Sequence, residues 1–243
     1  MQQIHELSLS ELRPGKPDDD MGGMKLIVLG KPQRGKSVLI KSIIAAKRHI
    51  IPAAVVISGS EEANHFYSKL LPQCFVYSKF DPDIIMRVKQ RQLALKNIDP
   101  EHSWLLLVFD DCMDNAKVFN HESVMDLFKN GRHWNVLVII ASQYIMDLNA
   151  SLRCCIDGIF LFTETSQTCV DKIYKQFGGN IPKQTFHTLM DKVTQDHTCL
   201  YIDNTTSRQR WEDMVRYYKA PLLADGDVAF GFADYKAHGA STM

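Results

Sequence analysis

The chain has no apolar run approaching the ~20 residues of a membrane-spanning helix. Its first residues, MQQIHELSLSELRPG, are polar and lack the apolar core of a secretory signal. Those two gaps predict a soluble, intracellular protein. Net charge is missing as well, because 28 basic side chains balance 28 acidic ones. That excludes a polycation that coats nucleic acid, so any such contact needs a local basic surface or a ring of copies. The cysteines (Cys74, Cys112, Cys154, Cys155, Cys169 and Cys199) form no C-x-x-C pair and keep no regular spacing, which argues against zinc. Cys74, Cys112 and Cys199 lie in or beside apolar runs, as buried reduced thiols of a cytosolic protein would. There is no internal repeat and no low-complexity tract. The rest is ordinary for a globular protein: 45% hydrophobic and 23% charged, with Gly and Pro scattered.

What is present centres on residues 26–42, LIVLGKPQRGKSVLIKS. An apolar run breaks at Gly30, four residues follow, and Gly35, Lys36 and Ser37 precede a helical pattern of Val38, Leu39, Ile40, Ile43 and Ile44. This is G-x-x-x-x-G-K-[ST], the Walker A pattern, with a strand before it and a helix after it. Two glycines let the backbone wrap closely, so that loop N–H groups and the helix N-terminus face the phosphates of a nucleotide. The candidate binding residues are Gly30, Lys31, Pro32, Gln33, Arg34, Gly35, Lys36, Ser37 and Val38. Lys36 would reach the β- and γ-phosphates, and the Ser37 hydroxyl would complete the shell of a Mg²⁺ ion.

Hydrophobic patterning predicts strands at 53–58, 74–77, 104–109, 136–141, 159–162 and 198–202. Helices are predicted at about 36–49, 61–70, 81–96, 122–129, 167–177 and 182–193. Near-continuous apolar runs such as WLLLVF and VLVIIA mark strands covered on both faces, and the alternation implies a mostly parallel α/β sheet. Two strands lie in sequence between the Walker A strand and the next acid-tipped one. That fits the RecA-like, ASCE-type branch of P-loop NTPases, which inserts an extra strand between the two. One ATPase domain is expected over 24–222. A loosely ordered arm, 1–23, precedes it, with Ile4, Leu7, Leu9 and Leu12 available for docking. A small-residue-rich tail, 223–243, follows, suited to a mobile or partner-ordered extension.

The run LLLVF ends in Asp110 and Asp111, which puts carboxylates at the carboxyl end of the sheet where α/β folds bind ligands. Asp110 is the candidate to hold Mg²⁺ and Asp111 to polarise the attacking water. Two acids capping a turn would look the same in sequence. Gln143, after the strand VLVIIA, is a candidate γ-phosphate sensor or a plain loop hydrogen-bonder. Hydrolysis builds charge that an arginine can stabilise, often supplied by a neighbouring subunit. Arg132 in NGRHWN and Arg153 in NASLRCC are the candidates, each in a loop near strand ends, where a surface charge is the alternative.

Four segments in order, GKPQRGKS, LLLVFDDC, GRHWNVLVIIASQ and SLRCCIDGIFLF, resemble the DNA-packaging ATPases of large double-stranded DNA viruses. These are the poxvirus-type members of the FtsK/HerA superfamily, and the resemblance covers roughly residues 26–218. It implies an ATP- and Mg²⁺-dependent ring, a pentamer or hexamer, that moves double-stranded viral DNA into a preformed capsid. Capsid or portal-vertex proteins would be its partners, and host cytoplasm or the virion its location. It also implies that residues 30–37 bind phosphates, Asp110 holds Mg²⁺, Asp111 is the catalytic acid, Gln143 the sensor, and Arg132 or Arg153 the trans-acting arginine. Many relatives carry Glu where this chain has Asp111, which is one methylene shorter and would work through a second water or a shifted backbone. DNA contacts are not assigned by the resemblance; the basic helix face RVKQRQLALK is an alternative to pore loops. The competing enzyme is a P-loop small-molecule kinase or phosphotransferase, although no Arg-dense lid follows the third strand. A nucleotide-gated switch without translocation and a scaffold with a degenerate site are the non-enzymatic readings. The guanine-reading N-K-x-D is absent.

Overall fold

Nine strands form one sheet in the computed structural model, which describes residues 4–112, 118–145, 148–205, 210–228 and 230. In chain order they are β1 (His5–Glu6), β2 (Lys25–Leu29), β3 (Ala53–Ser58), β4 (Val76–Tyr77), β5 (Leu105–Asp110), β6 (Val136–Ser142), β7 (Gly158–Leu161), β8 (Thr198–Asp203) and β9 (Val215–Lys219). Their spatial order is β1-β9-β8-β7-β2-β6-β5-β3-β4. Every neighbouring pair is parallel except the two that β8 makes. The expected α/β, mostly parallel sheet is therefore present, with β6 inserted between β2, which leads into the Gly-rich loop, and the acid-tipped β5.

The apolar runs are two-sided for a reason. Along β2, Ile27 and Leu29 enter one core while Leu26 and Val28 enter the other. The first core takes side chains from α3 (Pro82–Ile98), α4 (Glu122–Asn130), α6 (Gln167–Phe177) and α7 (Lys183–Val193). The second takes Leu39, Ile40, Ile43 and Ile44 of α1 (Lys36–Lys47). The helix expected over 61–70 is cut short: α2 (Glu61–Asn64) stops at His65, whose φ of +49° leaves the helical region. The edge strand β1 and its neighbour β9 are additions to the sequence reading, which found no strand at either place.

Both ends of the described chain fasten onto α1. Leu7, Leu9 and Leu12 are buried in the α1-side core, and the backbone of β1 pairs with β9. The buried Lys47 ammonium donates to the carbonyls of Leu12 (2.5 Å), Pro14 (2.9 Å) and Ser10 (3.4 Å). From the other end, Asp225 (2.6 Å) and the Leu223 carbonyl (2.7 Å) bind Lys41, and Val228 and Phe230 are buried. Residues 231–243, most of the expected tail, lie outside the described residues. Among the described residues no helix is long and apolar enough to cross a membrane.

Lys47→Met would leave the carbonyls of Leu12 and Pro14 short of a donor at a buried site. The expected loss is about 1–3 kcal/mol, which for a chain of this length lowers Tm by roughly 2–12 °C in calorimetry. An unchanged Tm would show that the N-terminal segment holds without this lysine.

Candidate functional site

Strand register builds the site. Leu29 of β2 pairs with Ser142 of β6, Ala141 of β6 with Asp110 of β5, and Asp110 with Ser58 of β3. The carboxyl ends of four strands are thus level, and the segments leaving them meet at one edge. Gly30 continues the ladder, its N–H donating to Ser142 O at 3.1 Å. A methyl group at Gly30 would lie 2.8 Å from Phe162 Cβ, so close packing against the end of β7 demands glycine there. Gly35 is demanded by backbone conformation instead, with φ of +105° at the start of α1. Pro32, Gln33 and Arg34 are exposed at the tip, while Ser37 and Val38 are half-buried in the first turn of α1.

Lys36 folds back over the loop and donates to Gly30 O (2.7 Å) and Lys31 O (3.2 Å). Lys31 is held by an ion pair with Glu164 at 2.8 Å, just past β7. Burial lowers the Lys36 pKa from the ordinary lysine value, and the charges of Asp110 and Asp111 pull it back up. The lysine and both acids therefore share one electrostatic neighbourhood.

Asp110 is buried at 7% exposure, and the Tyr67 hydroxyl donates to its Oδ2 at 2.8 Å. Burial raises the Asp110 pKa; the Tyr67 hydrogen bond and the Lys36 charge oppose that rise. Asp111 is exposed, with φ of +53°, a left-handed conformation that Asp tolerates better than most residues. Its carbonyl would lie 2.3 Å from a methyl group at Gly59, so the loop after β3 packs tightly on the acid pair. Gln143 is exposed directly after β6 and lines a crevice with Gly30 and Glu164. The structure thus brings together Lys36, Ser37, Asp110, Asp111 and Gln143.

A cleft of about 580 Å³ opens beside the loop. Gln33, Gly35, Lys36, Ser37 and Val38 form one wall, and Asp196, His197, Lys219, Ala220 and Leu222 the other. The second wall escaped the sequence reading, although the adjacent left-handed residues Asp196 and His197 set it at the mouth of β8. Nδ1 of His197 lies 3.3 Å from the Arg34 carbonyl, which ties the two walls. Tyr67 and Glu61, which support Asp110, were missed too.

The two arginines lie apart from this cluster in their own chain. Arg132 precedes β6 and so lies at the amino edge of the sheet, the length of β6 or roughly 20 Å away. Its guanidinium pairs with the buried Asp157 at 2.8 Å, and that carboxylate also accepts from the Lys25 N–H at 2.9 Å. Arg153 ends α5 (Ala150–Arg153), where it donates to Gln176 Oε1 (3.2 Å) and to the Leu148 carbonyl. Parallel strands made the first point readable in advance, since residues preceding a strand lie at its amino edge.

No protein-family model matches the chain. It is 52% identical over 235 residues to the uncharacterized protein 015R of Frog virus 3 (isolate Goorha), covering 96% of this chain and 73% of that one. It is 36% identical over 247 residues to the uncharacterized protein 088R of Invertebrate iridescent virus 3, covering 99% and 94%. The chain belongs to the family of 015R and 088R. Its fold matches that of B204, the DNA-packaging ATPase of Sulfolobus turreted icosahedral virus, with a TM-score of 0.60 at 17% identity, covering 83% of this chain and 100% of B204. B204 of Sulfolobus turreted icosahedral virus 2, a genome-packaging NTPase solved with ATP-gammaS, gives a TM-score of 0.56 at 17% identity, covering 82% and 98%. The fold is that of the P-loop ATPases.

The donor set suits Mg²⁺: one hydroxyl on Ser37 and one carboxylate on Asp110 are hard oxygens, few enough to leave room for water and phosphate. Among the described residues no group of three or more His, Cys, Asp or Glu is gathered for a metal. Two substitutions test the geometry. Gly30→Ala must push the loop off Phe162, and a loss of about 1–3 kcal/mol is expected. Arg132→Ala leaves the buried Asp157 one partner short, and Tm should fall by roughly 2–8 °C. An Arg132→Ala protein that melts like the wild type would show that the ion pair contributes nothing.

Proposed function

We propose that the chain is an ATP-hydrolysing motor that drives viral double-stranded DNA into a preformed capsid, as the poxvirus-type packaging ATPases do. In this reading it works as a homo-oligomeric ring, a pentamer or hexamer, docked on capsid or portal-vertex proteins in host cytoplasm or the virion. The observation that carries the reading is the strand register that sets the loop after β2 and the Asp110–Asp111 end of β5 level at one edge of the sheet. The iridescent-virus relative and the B204 fold support it.

Backbone N–H groups of 33–38 and the N-terminus of α1 would cradle the phosphates, while Lys36 exchanges the Gly30 and Lys31 carbonyls for β- and γ-phosphate oxygens. Mg²⁺, held by Ser37 and Asp110, would neutralise charge on those phosphates. Asp111 would take the proton of the attacking water as its oxygen bonds the γ-phosphorus and the bond to the bridging oxygen breaks, releasing ADP and phosphate. Its exposure would let Asp111 act through a second water, which would make up for its short side chain. Gln143, level with the loop on the intervening strand, would hydrogen-bond the γ-phosphate or the water. Arg153 or Arg132 would act on a neighbour's nucleotide, since neither lies at the loop of its own chain. The cleft wall of His197 and Leu222 is suited to the face of a nucleobase.

ATP hydrolysis by the purified protein, with and without double-stranded DNA, tests the proposal. DNA should stimulate turnover, and Lys36→Ala or Asp111→Asn should lower it on the order of 10²–10³-fold. Hydrolysis indifferent to DNA would remove translocation and leave the ATPase. Arg153→Ala or Arg132→Ala subunits that regain turnover when mixed with Asp111→Asn subunits would identify the arginine that acts across an interface.

A further inference from the structure

We propose that Tyr67 is a positioning residue for Asp110: its hydroxyl engages one carboxylate oxygen and so presents the other toward the phosphate loop. The inference rests on the reading of Asp110 as the Mg²⁺-side acid. Tyr67 is 1% exposed, and a buried hydroxyl is costly unless it is bonded. Its bond goes to Asp110 Oδ2 at 2.8 Å, across 43 positions of sequence. Among the described residues nothing else in the chain bonds that carboxylate. Among the described residues no buried side-chain polar atom is left without a partner.

The tyrosine is itself fixed. Glu61, buried at the start of α2, accepts the backbone N–H groups of Tyr67 (3.0 Å) and Ser68 (2.9 Å) with its two oxygens. The Tyr67 carbonyl in turn accepts from Leu70 and Leu71, each at 2.9 Å, and the Phe66 ring packs edge-on against its ring at 4.9 Å. The same segment also holds the acid by its main chain, since Gly59 N–H donates to Asp110 O at 3.1 Å. The segment between β3 and β4 therefore grips Asp110 at backbone and side chain together. A carboxylate torsion is otherwise broad, and a single donor on a clipped segment narrows it. A phenylalanine would fill the same space; only the hydroxyl orients the acid.

Tyr67→Phe keeps the ring and deletes the donor. Binding of a fluorescent ATP analogue, titrated with Mg²⁺, reads the effect without turnover. The Mg²⁺ concentration at half-saturation should rise roughly 10-fold, with binding in EDTA unchanged and maximal turnover largely recovered at high Mg²⁺. An unshifted Mg²⁺ dependence in a folded Tyr67→Phe protein would overturn the proposal. Should that variant fail to fold, Glu61→Gln decides, with a rise of about threefold expected and no shift overturning it. Asp110→Asn separates the two layers. If it leaves Mg²⁺-dependent binding intact, the metal reading of Asp110 fails and the Tyr67 proposal falls with it. If it abolishes that dependence, the metal reading stands and the Tyr67→Phe result alone judges the proposal.

Discussion

Everything at the site depends on the register of three parallel strands. Leu29, Ser142 and Asp110 end β2, β6 and β5 at nearly the same height, with Ser142 opposite Leu29 and Ala141 opposite Asp110. A slip of one residue would turn each side chain to the other face and move Asp110 out of reach of Lys36. The register is strongly specified because both faces are buried. Ile27, Val138, Leu107 and Val55 occupy one core, and Leu26, Val28, Ile139 and Val108 the other. The hydrophobic effect that folds the sheet is therefore also what aligns the phosphate loop with the acids.

Helix α1 carries a second constraint. Its first turn belongs to the loop, and its remaining surface is enclosed by the sheet and by both flanking segments of the chain. Lys41 and Lys47 sit on the same helix as the buried Leu39, Ile40, Ile43 and Ile44, and each spends its ammonium on backbone carbonyls, with Asp225 added to Lys41. These bonds satisfy polar groups that would be costly if buried unpaired. The same helix thus anchors the loop, the N-terminal leucines, and Val228 and Phe230.

The legible parts of the site are those whose signal is local. Gly30, Gly35, Lys36 and Ser37 fall within eight consecutive positions; Gly35 is required by a local left-handed turn, whereas the Phe162 contact that requires Gly30 comes from the end of β7. Asp110 and Asp111 were visible because an apolar run ended in acids. Tyr67 gave no such signal. It lies in a segment that reads as plain helix until His65 breaks it, and its partner is 43 positions away. The wall of Asp196, His197 and Leu222 is similarly remote from the loop it faces. The two-residue β1 is too short to carry a pattern, and β9 escaped notice because it is only partly buried; VRYYK looks like neither a core strand nor a helix.

By itself the sequence determined the class of fold, the loop chemistry and the acid-tipped strand, since periodicity and short spacings act over a turn or a strand length. Tertiary structure alone decided that Tyr67 backs Asp110. It also paired Arg132 with the buried Asp157. Those outcomes depend on which surfaces meet once the chain is packed. That choice is made by burial and hydrogen-bond satisfaction between residues far apart in sequence, and no local pattern encodes it.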